Sequence, residues 1–121
     1  MSEKEPNPEH LLELAREALL NAASQGAERD ILYQKIGHYL DALDVVGEQN
    51  YSVAERDLWH YATFSETLLE AGLADDAEEA IKDLELVMDR THDYFLTHRS
   101  AETWKERYDS LVACLTDLKG A

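Results

Sequence analysis

Apolar side chains recur every three or four positions through most of the chain, and this spacing predicts α-helices. The first two predicted helices span about residues 8–24 and 28–46. The buried stripe predicted for the first consists of Leu11, Ala15, Ala18, Leu19 and Ala22. Asn7 suits the start of the first as an N-cap, and Gly26 and Gly47 suit the two ends. No stretch alternates apolar and polar residues as a half-buried strand would. The pattern therefore predicts an all-α fold.

Three further helices follow from the same pattern. The third opens with Ser52 and Glu55, which can satisfy each other's free backbone N–H groups as a capping pair, and continues to Ala71. The fourth begins near Asp75, and the fifth begins after Ser100. The fourth carries a heptad-like apolar seam, which consists of Ala77, Ile81, Leu84, Met88, Thr91 and Phe95.

The connections between these helices are short, so neighbouring helices are expected to pack antiparallel. Each helix carries an apolar stripe that another element must cover. The predicted architecture is a five-helix antiparallel bundle or a short stack of helical hairpins. No 34-residue period marks a repeat family. Residues 1–6 are predicted to be a short disordered segment before one helical domain over 7–121.

Charge narrows the choice of partners. The chain has 26 acids and 11 bases, a formal charge of −15. This charge opposes direct binding to nucleic acid or an anionic membrane and favours basic surfaces, although a saline habitat would also explain it. The sequence has no apolar run long enough to span a membrane, and its start lacks the apolar core of a signal peptide. We predict a cytoplasmic protein.

Few residues suggest chemistry. A single cysteine, Cys114, excludes an internal disulfide, and its place at the edge of an apolar stripe predicts a half-buried thiol. The nearest approaches to a metal-binding pair are Asp89 with His92, with Glu85 as a third ligand, and His38 with Asp41 in reversed order. His38 and His60 are expected to face solvent, and His10 and His98 have no assigned chemistry beyond a helix-end role for His98. No cofactor and no catalytic residue is predicted.

Some large apolar side chains occupy positions where the pattern predicts solvent. Ile31 and Val45 lie on a second line of helix two, opposite its main stripe, with His38 between them. Trp59 and Leu86 project among acidic residues on helices three and four. Tryptophan is a favoured interface anchor, so these four residues are the candidate partner-binding set. The competing interpretation is that helix two or three is central and buried on two sides.

A second candidate surface is acidic. It consists of Asp75, Asp76, Glu79, Asp83, Asp89 and Asp93. Three functional hypotheses follow. We favour a small non-enzymatic protein–protein interaction module, such as an adaptor, regulator or accessory subunit, with a homodimer as one form. The alternatives are an acidic inhibitor or nucleic-acid mimic that binds a basic partner, and a metal-binding helical bundle.

Overall fold

The computed structural model describes residues 7–91 and 101–120, and this part of the chain is helical throughout apart from short connections. Its helices are α1 (Pro8–Ser24), α2 (Arg29–Asn50), α3 (Val53–Glu70), α4 (Ala74–Arg90) and α5 (Ala101–Gly120). The prediction of an all-α fold is confirmed for these residues, and the five predicted helices are all present.

Helix α3 lies at the centre of the described fold. It packs most extensively against α4, and it also contacts α2, α5 and, to a smaller extent, α1. Helix α1 packs chiefly against α2, and α5 lies against both α3 and α4. The fully buried side chains that join these elements are Leu19, Tyr39, Leu43, Leu58, Leu68 and Leu84. The core therefore runs from the α1–α2 pair through α3 to α4, and α5 adds Leu111 and Leu115 to it.

Two glycines end helices as the sequence predicts. Gly26 and Gly72 have φ angles of 73° and 78°, a left-handed conformation that glycine adopts without steric penalty. After each, the chain closes a Schellman turn, for example by the Leu73 N–H donating to the Leu68 carbonyl at 2.9 Å. These turns connect α1 to α2 and α3 to α4.

Gly47 does not end a helix, so the predicted end of helix two near Val46 is wrong. Helix α2 continues to Asn50, and the Tyr51 N–H donates to the Gly47 carbonyl at 3.0 Å. Gly47 is buried, and a Cβ placed on it would lie 3.4 Å from the Trp59 ring. Its missing side chain makes room for an indole from α3.

The predicted capping pair of helix three needs correction. Ser52 is the N-cap of α3, but its hydroxyl oxygen lies 3.5 Å from the Glu55 carboxylate, and neither side chain bonds to a cap N–H. Helix α4 starts one residue before Asp75, with Leu73 as N-cap, because the turn at Gly72 leads directly into the helix.

The seam of α4 is buried from Ala77 through Ile81 and Leu84 to Val87. Thr91 ends the helix, and its hydroxyl donates to the Val87 carbonyl at 2.8 Å. Phe95, the last predicted seam residue, lies outside the described residues. The stripe of α1 begins later than predicted, because Leu11 is 45% exposed.

Salt bridges and one amide hydrogen bond connect helices that are distant in sequence. Arg107 binds Glu66 through two guanidinium nitrogens, at 2.8 and 3.1 Å. The other pairs are Arg16–Glu70, Arg29–Asp76, Lys119–Glu78 and Asn50–Glu9. The Asn50–Glu9 bond, at 2.9 Å, places the end of α2 beside the start of α1.

Candidate interaction surfaces

The four residues predicted to bind a partner do not form one surface. Ile31 and Val45 are 44% and 47% exposed on α2, and Leu86 is 60% exposed on α4. Trp59 on α3 is only partly exposed. Its ring stacks on Tyr51, with centroids 4.9 Å apart and an angle of 22° between the planes. Trp59 therefore belongs to the α2–α3 contact, as the competing interpretation of a central helix anticipated.

Two leucines that the sequence did not single out as exposed complete a surface with Ile31 and Val45. Leu11 and Leu14 on α1 are 45% and 49% exposed. At 100° per residue, they lie about 140–160° around α1 from Arg16, which binds Glu70 of α3. Leu11 was assigned to the buried stripe, and Leu14 carried no signal of its own, because a leucine flanked by glutamate and alanine fits either face.

The same geometry applies to α2. Ile31 and Val45 each lie about 160° around the helix from Gly47, which contacts Trp59 of α3. All four residues thus point away from α3, on one side of the α1–α2 pair. Because Asn50 at the end of α2 binds Glu9 at the start of α1, Leu11 and Val45 lie toward the same end of that pair. We call Leu11, Leu14, Ile31 and Val45 the first-hairpin face.

The first-hairpin face differs in charge from the rest of the molecule. Lys35 and His38 lie within about 40° of Ile31 around α2, and Lys35 makes no ion pair within the described part of the chain. The acids Glu17 and Asp41 flank the apolar residues on the outer side. With one lysine against two acids, the surroundings of this face are closer to neutral than the chain as a whole, which carries a charge of −15.

The acidic set lies mainly on the outer side of α4. Asp75, Glu79, Asp83 and Asp89 are exposed. Asp76 differs, because Arg29 of α2 binds it at 3.0 Å and its side chain is 20% exposed. Asp93 lies outside the described residues. A concavity of about 380 Å³ between α3 and α4 is lined by Tyr61, Asp83, Leu86, Val87, Asp89 and Arg90.

The candidate metal ligands are not brought together within the described residues. Glu85 accepts a hydrogen bond from the Tyr108 hydroxyl at 3.2 Å, and Asp89 is exposed. His92 lies outside the described residues, as does His98. No group of three histidine, cysteine or carboxylate side chains within residues 7–91 and 101–120 is placed to hold an ion.

His60 is less exposed than expected. His10 and His38 are exposed, whereas the His60 side chain is only 16% exposed and packs edge-on against the Tyr61 ring. Its Nδ1 lies 3.4 Å from a carboxylate oxygen of Asp44 on α2. Burial lowers the pKa of His60 below its ordinary value, and the negative charges of Asp44 and Asp57 oppose that shift. The imidazole is therefore neutral near pH 7.

A groove of about 570 Å³ runs between α3 and α5. Leu69, Leu111 and Leu118 form its apolar floor, and Cys114 opens onto it from α5. Cys114 is exposed, so the half-buried position predicted for it is wrong; the groove leaves its side of α5 uncovered. The acids around this groove were not part of any predicted site, because they come from two helices far apart in sequence.

Comparisons with protein-family models, curated proteins and solved structures found no match to this chain. None of the helices in the described part of the chain has both the length and the apolar character that a membrane crossing needs. The function must therefore be inferred from the surfaces themselves.

Proposed function

We propose that this chain is a non-enzymatic protein-interaction module that binds a partner protein through the first-hairpin face. The observation that supports this proposal is the exposure of Leu11, Leu14, Ile31 and Val45 on one side of the α1–α2 pair. Single exposed apolar residues are ordinary on proteins, but several that share a face indicate an interaction site.

The packing of the helices supports the choice of this face. We infer that α1–α2 and α3–α4 are two antiparallel hairpins stacked on each other, with α5 covering the second. This order follows from the contacts of α1 with α2, of α3 with α4, and of α5 with both helices of the second pair. In stacked helical hairpins the outer face of a terminal hairpin is normally polar. Here that face carries four large apolar side chains, which suits a surface that a partner covers.

The partner should present an apolar helical surface. The charge of −15 favours partners of net positive charge at long range, because electrostatic attraction raises the encounter rate. Contact at the face itself would depend on apolar burial, since aliphatic side chains contribute about 25 cal/mol for each Å² removed from water. Salt should therefore slow the encounter but leave the dissociation rate of the complex nearly unchanged.

A paired substitution tests the proposal. Leu14→Asp with Val45→Asp should abolish capture of the partner from a lysate of the native host, because both carboxylates would be desolvated on binding. Leu86→Asp is the control for a single such exchange, since it places one carboxylate on an apolar and more exposed position of α4. The decisive measurement is quantitative mass spectrometry of the captured proteins, with circular dichroism to show that all variants fold.

Two results would contradict this assignment. One is a double variant that retains every protein captured by the wild type, and the other is a Leu86→Asp variant that loses the same proteins as the double variant. Light scattering distinguishes a second copy of the chain from a different protein. Self-association would give roughly twice the monomer mass of 13.8 kDa, and the double variant would restore the monomer.

The exposed acids of α4 favour a second candidate function, an acidic inhibitor or nucleic-acid mimic. Asp75, Glu79, Asp83 and Asp89 would then occupy a basic groove of the partner. Such binding should weaken strongly between low and high salt, and exchanging these acids for amides should abolish it. Binding to a basic partner that is the same at both salt concentrations would remove this candidate.

A further inference from the structure

The groove between α3 and α5 is a second candidate site. We propose that this groove binds a basic amphipathic helix of a partner protein, with its apolar side on the leucine floor and its lysines or arginines at the acidic rim. The proposal is independent of the first-hairpin face, since the two sites share no residue.

The floor of the groove is apolar and partly open. Leu111 is buried, while Leu69 and Leu118 are partly exposed on neighbouring helices. The groove follows α5 from Arg107 to Leu118, a length of about 16 Å at 1.5 Å per residue. That length accepts roughly three turns of a helix, and apolar side chains spaced three and four apart on such a helix would meet the floor.

The rim of the groove is acidic. Glu66 and Glu70 lie on α3, and Asp117 lies on α5. Arg107 and Arg16 approach from opposite sides and bind Glu66 and Glu70 respectively. Each of these arginines is therefore already held by a carboxylate, and Asp117 makes no ion pair within the described part of the chain.

The negative field extends beyond the groove itself. A neighbouring concavity of about 300 Å³ between α1 and α3 shares Glu66 and Glu70 with it and adds Glu9 and Glu13. Together the two concavities hold five carboxylates and two arginines, a balance of −3. An apolar floor inside an acidic rim selects a ligand that is apolar on one side and cationic on the other, which is the chemistry of a basic amphipathic helix.

The experiment uses a synthetic probe and the cysteine that the groove contains. The probe is a fluorescent peptide of about 18 residues, with leucines at helical spacing and lysines elsewhere. A matched peptide carries glutamates in place of the lysines. Binding is measured by anisotropy at about 0.15 M salt, where exposed charges are screened beyond roughly 8 Å. The rate at which Cys114 reacts with a maleimide reports whether the peptide covers the groove.

Two charge reversals separate binding in the groove from general attraction to an acidic protein. Asp117→Lys should weaken binding of the lysine peptide by about five- to tenfold, since it places a like charge at the rim. Asp109→Lys, an exposed position about 140° around α5 from Cys114, makes the same change in net charge and should weaken binding less than about twofold. A saturating amount of peptide should slow the Cys114 reaction at least about fivefold by excluding the reagent from the covered groove.

The proposal is overturned if the lysine peptide does not bind, if both charge reversals weaken it equally, or if Cys114 reacts at the same rate with the peptide bound. Preference for the glutamate peptide would also overturn it. The variant with Leu14→Asp and Val45→Asp should bind the lysine peptide as the wild type does. Failure of the first-hairpin face and failure of this groove are thus separate results.

Discussion

The hydroxyl oxygens of Tyr39 on α2 and Thr67 on α3 lie 2.7 Å apart inside the apolar core. Tyr39 is fully buried, and Thr67 is 2% exposed. Burial raises the pKa of Tyr39 above its ordinary value, so the phenol is protonated and able to donate a hydrogen bond at any physiological pH. The pair holds α2 and α3 in one register, because a slip of either helix would leave two buried hydroxyls without partners.

Removing both hydroxyls of this pair should destabilise the fold by less than the two single losses added together. Tyr39→Phe and Thr67→Val each leave a buried polar group unsatisfied, and each should lower the free energy of unfolding by about 1–3 kcal/mol. The double variant should lose clearly less than the sum of the two single losses. Urea denaturation followed by circular dichroism measures all four free energies. Losses that simply add would show that the hydrogen bond contributes nothing.

Two glycines within α2 should respond in opposite ways to substitution. An added Cβ at Gly37 meets nothing within 4 Å, so Gly37→Ala should stabilise the protein by about 0.5–1 kcal/mol through helix propensity alone. At Gly47 a Cβ would lie 3.3 Å from Arg56 Cγ and 3.4 Å from the Trp59 ring. Gly47→Leu should therefore displace the indole and destabilise the protein by more than about 1 kcal/mol.

Denaturation by urea measures both effects, and tryptophan fluorescence identifies the cause. In a Trp104→Phe background, Gly47→Leu should shift the Trp59 emission to longer wavelength, because the ring loses its cover. Gly37→Leu is the matched control and should leave that emission unchanged. An unchanged spectrum for Gly47→Leu would contradict the close contact between α2 and α3 at this point.

These glycines also show what the sequence could predict of the fold. The bounds of α1 were predicted correctly, because Asn7 and Gly26 act locally and their signals lie within the helix ends. Gly47 carries the same local signal as Gly26 but lies inside α2, where a side chain would meet Trp59, twelve residues further along the chain. A Cβ at Gly37 meets nothing within 4 Å, so the glycine of α2 at a close helix approach is Gly47.

The sequence predicted the candidate surfaces less well than the helix ends, for a related reason. Periodicity assigns a side chain to a face of its own helix, but the exposure of that face depends on which helices cover it. Leu11 was placed in a buried stripe and is exposed, whereas Trp59 was placed outward and is partly covered by Tyr51. Ile31 and Val45 were placed correctly as exposed, because their line lies opposite the main stripe of α2.

His60 should make stability fall as the pH drops below neutrality. Its lowered pKa means that, between that value and about 6.5, the unfolded chain binds more protons than the folded one. The stabilisation is complete above pH 6.5 and is lost as the pH falls through the lowered pKa. Asp44 from α2 and Asp57 from α3 face the ring and moderate the loss.

Thermal melts at about pH 7.5, 6.5 and 5.5 measure this effect, with His60→Gln as the variant that cannot titrate. The wild type should lose more stability over this range than the variant. The lowered pKa values of Glu9 and Glu78 do not interfere, because their stabilisation is lost only as the pH falls below about 4.5. Parallel pH profiles for the wild type and His60→Gln would show that the histidine has no part in acid sensitivity.

The excess of acids on α4 should make the protein more stable at high salt than at low salt. The position of each acid along the helix decides how far its charge destabilises the fold. Glu79 and Asp83 are exposed and four residues apart, a spacing at which like charges destabilise a helix by about 0.2–0.5 kcal/mol. Asp75 lies in the first turn, where the helix dipole favours a negative charge.

Exchanging Glu79 and Asp83 for Gln and Asn should raise the melting temperature at low salt and reduce its rise with sodium chloride. Asp75→Asn removes the same type of charge and should give no gain. If all three substitutions stabilise the protein equally, net charge alone governs its stability and the position on the helix does not.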